Sequence, residues 1–280
     1  MVRVGIHTSI AGHISNALTE AAALRCDCVQ MFSRNPRGWE AKPLKRRDIG
    51  QFRSARERLA LDPVVIHAVY LINLAAQNPF ILHNSVEAFR DEVRRAIQLQ
   101  ADYLVVHPGS AREVSPDLAI QTCGGAMKEA VRGLKLGRLT LLVENTAGQG
   151  GQIGRTFEEV AAILDHLDGL PVGCCFDTAH TYAAGYDIAE AAGLKVTVKI
   201  VKSTIGRDRL RVVHCNDTKI PLGGHVDRHW HIGQGNIGLS GFRRIVQNSL
   251  LRQLPFILET PKQTPADDPR NIAILRDLAK

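Results

Sequence analysis

Residues 214–238, HCNDTKIPLGGHVDRHWHIGQGNIG, hold four histidines and two aspartates among glycines, directly after the apolar run Arg211-Val212-Val213. A strand ending there would open into a loop crowded with metal-type ligands. Asp227 and His229 stand two residues apart, a spacing that lets both reach one ion from an extended backbone. Taken alone, the stretch reads equally well as a polar surface loop with chance histidines. Its weight depends on what the rest of the chain adds.

Residues of the same type recur at the ends of other apolar runs. His7 follows VGI, His67 VVI, His107 LVV, Glu144 LLV, Asp177 CCF, His214 RVV and Glu259 FIL, so seven of eight such runs end in a side chain able to bind a metal. His, Asp and Glu make up 39 of the 280 residues, and chance placement would give about one such end among eight. His180, Asp227 and His229 fall just beyond the sixth and seventh runs. Imidazole with carboxylate, and no thiolate, suits zinc, manganese or iron, whereas an all-oxygen set would suit magnesium or calcium. The set exceeds what one tetrahedral ion can use, and two or three ions sharing a bridging carboxylate would use it. Four carboxylates converging on one pocket repel one another, so cations there would stabilise the fold as well as enable catalysis.

Not every candidate takes a ligand's role. His7 reads as a buried hydrogen-bonded group behind the ligands. His13, His83, His166 and His225 lack matching partners, and His231 is left unassigned. Glu144 and Glu259, each closing an apolar run, need a cationic partner of the kind that metal or arginine supplies.

The elements that must position these residues are short. Eight β-branched or apolar runs, at residues 2–8, 28–32, 64–67, 103–107, 139–144, 172–177, 211–214 and 256–259, suit strands buried on both faces of a parallel sheet. Helical signals lie between them at 15–24, 86–99, 117–134, 157–167 and 241–254, with a last one at 271–278. This alternation, with no break in composition, predicts a single-domain (β/α)8 TIM barrel over residues 1–280, its site at the C-terminal ends of the strands. A doubly wound open sheet is the other architecture weighed, but no glycine-rich phosphate-binding motif follows a strand. Residues 195–203, KVTVKIVKS, alternate like a strand; the barrel requires a helix there, and a helix is assigned.

Composition sets the remaining bounds. No apolar run approaches the roughly 20 residues of a membrane helix, and the N-terminus lacks a signal-peptide pattern, so a soluble cytoplasmic protein is the expectation. The six cysteines form no CxxC pair and read as reduced core residues. A net charge of +7 and a pI of about 9.3 favour a polyanionic partner without identifying one.

The segments GIHTSIAG, VIHAVYLINLA (65–75), VVHPGS (105–110), LVENTAG (142–148), CFDTAHTYAAGYDI (175–188), the 213–238 stretch and LETPK (258–262) resemble, in order and spacing, the signatures of the endonuclease IV family. Members are zinc-dependent apurinic/apyrimidinic endonucleases on a (β/α)8 barrel. The resemblance implies three zinc ions, with manganese a possible substitute at one position. The first would be held by His67, His107 and Glu144, the second by Glu144, Asp177, His214 and Glu259, and the third by His180, Asp227 and His229. Glu144 would bridge the first two, and Glu144 and Glu259 would be the catalytic carboxylates.

By the same resemblance FSRNPRGW (32–39) is a DNA-contacting loop, Arg37 enters the duplex near the lesion, and Tyr70 with Leu71 fills or opens the base stack. The partner implied is duplex DNA containing abasic sites, with no membrane and no obligate protein partner. The reaction is hydrolysis 5′ to the lesion, leaving a 3′-hydroxyl and a 5′-deoxyribose phosphate. This sequence departs from the family pattern at Val69, where proline is usual, and at Cys215 and Thr218; none of these removes a ligand. A metal-dependent sugar isomerase or epimerase on a similar barrel is the competing function, and it would leave Arg37, Tyr70 and the trio of His180, Asp227 and His229 without a purpose.

Overall fold

A computed structural model describes residues 2–112 and 114–280. Eight parallel strands close on one another in sequence order, β1 (Arg3–Thr8), β2 (Cys28–Phe32), β3 (Val64–His67), β4 (Tyr103–Val106), β5 (Thr140–Glu144), β6 (Val172–Asp177), β7 (Leu210–His214) and β8 (Pro255–Leu258), with β8 returning to pair with β1. Between and after them run α1 (Asn16–Ala23), α2 (Arg46–Leu59), α3 (Pro79–Gln98), α4 (Pro116–Val131), α5 (Phe157–His166), α6 (Thr178–Ala183), α7 (Ala191–Thr204), α8 (Gly238–Gln247) and α9 (Asp267–Leu278). The closed barrel is the architecture the alternation predicts, and closure excludes the open sheet. Among the described residues no helix is long and apolar enough to cross a membrane.

Side chains alternate across a strand, so each barrel strand presents one set to the helices and the other to the interior. Ile6, Met31, Ile66, Leu104, Val143, Phe176, Val213 and Phe256 belong to the continuous core that the helices cover. The other set forms a separate cluster of strand residues alone: Cys28, Val65, Val105, Leu142, Cys175, Val212 and Ile257. These plug the interior, one from each of seven strands. Gly5 occupies the eighth position, where a Cβ would stand 2.4 Å from the Cys28 carbonyl oxygen and 2.6 Å from its Sγ.

The strands are staggered as a closed barrel requires. Gln30 lies opposite Val65, His67 opposite Val105, Glu144 opposite Cys175 and His214 opposite Ile257, a two-residue advance at each of four seams. The remaining seams pair like positions at this end, giving the stagger of eight residues of an eight-stranded barrel of this type.

The helices depart from the sequence reading in instructive places. Residues 195–203 are helical, within α7, because Leu194, Thr197, Val198 and Val201 recur at helical spacing and are buried, while Val196 is turned out to solvent. α3 begins seven residues before the expected Val86 because Asn78 caps it, its side chain accepting from the Phe80 and Ile81 amides, with Pro79 in the first turn. α2 has no counterpart among the expected helices; its arginine-rich sequence buries only Phe52 and Ala55. α8 stops at Gln247, short of the expected 254, and a separate 3-10 turn follows at Leu251–Gln253. All six cysteines are free and buried, and burial pushes the Cys123 and Cys175 thiols up to about 12, as expected of reduced core residues.

The Gly5 position gives a direct check on the plug. Gly5→Ala forces a methyl group against the Cys28 backbone, and a loss of about 1–3 kcal/mol is expected, read as a lower urea midpoint. A midpoint equal to wild type would show that the layer has room to spare.

Candidate metal centre

One step further along each strand, at the next inward-facing position, the plug gives way to polar side chains. Gly5 is followed by His7, Cys28 by Gln30, Val65 by His67, Val105 by His107, Leu142 by Glu144, Cys175 by Asp177, Val212 by His214 and Ile257 by Glu259. The two-residue period of the strands thus lays a ring of polar groups on an apolar floor. His67, Glu144, Asp177 and His214 are buried, and His107 and Glu259 partly so.

The ring closes around Glu144. His67 Nε2 and His107 Nε2 each lie 3.2 Å from Glu144 Oε2, while His214 Nδ1 lies 3.0 Å from Oε1. Glu259 Oε2 is 3.3 Å from His214 Nδ1. Ligand atoms of Glu144, Asp177, His214 and Glu259 all fall within 4.8 Å of one another, as do those of His67, Glu144 and His214. Burial pushes the Glu144 carboxyl up, but the facing His214 and His107 imidazoles outweigh it and hold the carboxyl well below the usual range. Glu259 is likewise opposed by burial and held down by His214 and His7.

His180, Asp227 and His229 meet beside the ring. Asp177 caps α6 by accepting from the His180 amide at 2.6 Å, which sets His180 at the start of the helix, facing the barrel mouth. His180 Nε2 lies 3.0 Å from Asp227 Oδ1 and 3.3 Å from His229 Nε2. Burial pushes the His180 imidazole down, and Asp177 with Asp227 reverses this and raises it well above its ordinary value. Asp227 and His229 arrive on the loop that follows β7. Asp217, buried at the root of that loop, gathers the amides of Thr218, Gly235, Ile237 and Gly238 on its carboxylate, and the Trp230 amide donates to its carbonyl at 2.6 Å. Gly235 is required there because a Cβ would stand 2.3 Å from the Thr218 carbonyl oxygen.

The donor set fits metal ions on two counts. First, the separations of 3.0–3.6 Å between neighbouring donors lie within a few tenths of an ångström of the roughly 3.3–3.6 Å that donors about 2.0–2.2 Å from a common tetrahedral centre require. Second, the outward ring nitrogens already have partners. His67 Nδ1 donates to the Ala68 carbonyl at 2.7 Å and His180 Nδ1 to the Asn145 carbonyl at 3.0 Å, leaving each Nε2 lone pair pointing inward. His214 is fixed in the opposite sense, its Nε2 donating to Gln30 Oε1 at 2.7 Å.

Gln30, Asn216, Asn145 and Arg228 are site residues that the sequence reading did not single out. Gln30 Nε2 donates to Glu259 Oε1 at 2.6 Å and to His7 Nδ1 at 3.0 Å. His7 is therefore a partner of the second carboxylate rather than a member of the metal-type groups, and burial pushes its imidazole down. Asn216 Nδ2 donates to Asp177 Oδ2 at 2.7 Å, and its Oδ1 accepts from the Glu259 amide at 2.8 Å. Asn145 Oδ1 accepts from the Asp177 amide at 2.8 Å. The signal for Gln30 was present in the sequence, since an amide inside the apolar strand CVQMF must find partners.

Above the ring opens a cavity of about 410 Å³ lined by His67, Tyr70, His107, His180, Asp227, Arg228, His229 and Glu259. Tyr70 stands at its rim 62% exposed, its ring 5.5 Å from that of Phe32 and 5.3 Å from that of His67. These neighbours and a turn in which the Ile72 amide donates to the Val69 carbonyl at 3.2 Å hold it in place, although Val69 stands where proline is usual. Leu71 is half-buried and packs on the outer core, whereas Arg37 is exposed on the segment after β2. Larger clefts lie on the outside of the barrel, one of about 780 Å³ beside α7 and α8, and hold none of these groups.

Comparison with known proteins points in one direction. A family described as xylose isomerase-like TIM barrel matches residues 18–278. A curated relative from Solibacter usitatus named probable endonuclease 4 is 45% identical over 281 residues, covering 99% of this chain and 97% of its own length. Another of that name from Methanoculleus marisnigri is 42% identical, covering 100% of this chain and 99% of its own. The crystal structure of endonuclease IV from Thermus thermophilus superposes with a TM-score of 0.88 at 37% identity, covering 99% of this chain and 98% of that one. A D-tagatose 3-epimerase-like protein shares the fold at 20% identity and a TM-score of 0.74.

Gln30 tests how far the ring depends on its partners. Gln30→Leu leaves Glu259 Oε1 and His214 Nε2 without their bonds, and metal retention on dialysis is expected to weaken about 10–100-fold. Metal content equal to wild type after dialysis against a competing chelator would remove Gln30 from this role.

Proposed function

Because the chain belongs to the endonuclease IV family, we propose that it is a zinc-dependent DNA repair endonuclease that hydrolyses the phosphodiester 5′ to abasic sites in duplex DNA. The products would be a 3′-hydroxyl and a 5′-deoxyribose phosphate. The observation that carries this reading is the convergence of nine metal-type side chains beneath one open mouth whose rim presents Tyr70 and Arg228. His67, His107 and Glu144 would hold one ion, Glu144, Asp177, His214 and Glu259 a second, and His180, Asp227 and His229 a third. Glu144 suits the bridging role because its two oxygens face different histidines. Bound zinc would acidify the attacking water toward a pKa of about 7 and offset charge on the phosphate and leaving oxygens.

The chain's own groups account for the remaining steps. Glu259, kept anionic by its neighbours and oriented through Gln30 and the Asn216 amide, would orient the attacking water or take its proton, and its depressed pKa favours the orienting role. Arg228 at the mouth would meet a phosphate, and the net charge of +7 would draw the duplex in. Tyr70, exposed and braced from behind by Phe32 and His67, offers a rigid flat face to a base bordering the lesion. An abasic nucleotide has no base to unstack, so drawing it into a cavity of about 410 Å³ costs less than extruding an intact one. Selectivity would follow from that difference.

Metal-replete protein incubated with a duplex containing one tetrahydrofuran abasic analogue should nick the strand 5′ to the analogue, and a chelator should stop it. Sugar epimerisation with no nick would sink this reading. Glu259→Gln should slow nicking by about 10²–10⁴-fold while binding to the abasic duplex stays within a few-fold, with zinc content measured alongside. Cleavage at the wild-type rate by that variant would remove Glu259 from the chemistry.

A further inference from the structure

Between β2 and α2 the chain runs from Ser33 to Lys45 with little regular structure, and this segment carries Arg37 and Trp39 into solvent. Beneath it lies a group of charges that the metal centre does not use. Glu92 is fully buried on α3, and Arg95 and Arg34 are 3% and 5% exposed. Ser33 Oγ donates to Glu92 Oε2 at 2.5 Å and Arg34 Nε to Glu92 Oε1 at 3.1 Å, so both carboxylate oxygens are gripped. Arg34 Nη1 donates to the Trp39 carbonyl at 3.0 Å. Arg95 donates to the Lys42 carbonyl at 2.5 Å and to the Ser33 carbonyl at 3.3 Å. Asp91 completes the balance of charge, 2.7 Å from Arg95 Nε and 3.6 Å from Arg34 Nη1.

Such a network is an expensive way to hold a loop. Burial pushes the Glu92 carboxyl up, against the bond from Ser33 and the two guanidinium groups, and apolar side chains of similar volume hold packed elements together at least as firmly. What charged groups add is position, because each bond has a fixed length and direction. Here the bonds end on three loop carbonyls, those of Ser33, Trp39 and Lys42, which flank Arg37 on both sides. At the tip, Asn35 Oδ1 accepts from the Arg37 amide at 3.1 Å and turns the chain locally. The network thus fixes both ends of the loop, and the turn fixes its apex.

We propose that Glu92, through Ser33 and Arg34 and beside the Arg95 that holds the Ser33 and Lys42 carbonyls, is a positioning residue for lesion recognition, holding the 33–42 loop so that Arg37 meets duplex DNA in one preset pose. This inference rests on the reading of the chain as an abasic-site endonuclease. A loop ordered in advance loses less freedom on binding, so the contribution falls on affinity for the duplex and leaves the chemical step at the metal centre untouched.

The test is Glu92→Gln, which keeps the shape and removes the charge. KM for the tetrahydrofuran duplex should rise about tenfold, with kcat at saturating duplex and zinc content within about twofold of wild type. Placed on Arg37→Ala, the same change should add less than about twofold, since the two residues act through one contact. Limited tryptic cleavage after Arg37, on the exposed 33–42 loop, should quicken several-fold while the helices of the barrel stay resistant. An unchanged KM, a fall in kcat alone, or a full additive loss on top of Arg37→Ala overturns the proposal. Should Glu92→Gln fail to fold, Ser33→Ala removes a single bond to Glu92 and must shift KM in the same direction. Wild-type protein that never nicks the duplex overturns the endonuclease reading and this inference with it, whereas nicking with unaltered tryptic cleavage after Arg37 in Glu92→Gln overturns the clamp alone.

Discussion

Everything at the mouth of this barrel depends on one geometric constraint, the two-residue period of side chains along a β-strand. Closure turns alternate positions inward from every strand at once, and the stagger of the strands arranges them in layers. A sequence that changes from Gly, Cys, Val, Leu and Ile at one inward position to His, Gln, Glu and Asp at the next therefore needs no further device to assemble a polar ring. The plug below is part of the site. It denies the buried carboxylates water from beneath, so their compensation must come from the imidazoles around them or from cations above.

That compensation settles how four carboxylates coexist in so small a space. Mutual repulsion alone would strain the pocket, but each carboxylate faces imidazoles, and Glu144 touches four of them. The burden passes to the histidines. His214 and His180 would lose charge on burial alone, yet Cys175 with Glu144 and Glu259 raises the first, and Asp177 with Asp227 the second, well above the ordinary value. A metal ion taking those inward positions would therefore displace protons. The amide of Gln30 and the carbonyl of Ala68 take no part in that competition, because they occupy the outward nitrogens of His214 and His67, while on His180 the Asn145 carbonyl shares Nδ1 with Glu144 Oε1. Ring orientation survives whichever cation wins.

The strands and their ligand-type ends were legible because both signals are local: an apolar run of four to six residues, and a polar residue closing it. The helices were less so. α2 is held by two buried residues on an arginine-rich surface, too thin a stripe for a periodicity argument. Residues 195–203 alternate like a strand because Val196 is an apolar residue facing outward, and only the demand of the neighbouring strands for a crossover decided against it. The roles of the amides Gln30, Asn145 and Asn216 were hidden for a different reason, even though Gln30 stands out inside an apolar strand. Their meaning lies in partners up to 229 residues away, and a lone amide in a sequence gives no sign of which carboxylate it will orient. The buried charges of α3 were hidden likewise: in VEAFRDEVRRAIQL, Glu92 and Arg95 read as the solvated face opposite Phe89 and Val93, although both are buried.

The two kinds of functional group are supported in different ways, and the difference follows from what each must do. Metal-type ligands need mutual placement within tenths of an ångström, and strand ends supply it through the backbone ladder. A side chain proposed to meet DNA, such as Arg37, projects beyond the barrel, where no ladder reaches and a bare loop would sample many conformations. Buried ionic bonds supply direction there, from α3 to the segment after β2, and the Asp217 carboxylate does the same for the loop after β7 by gathering four amides. In both loops a buried acid takes the place of a sheet. A charge so enclosed is costly to leave unpaired, so any change that loosens the loop also strands the acid. The loop's order and the acid's compensation are thereby one equilibrium, and that coupling is what lets a short irregular segment hold a pose as a strand end does.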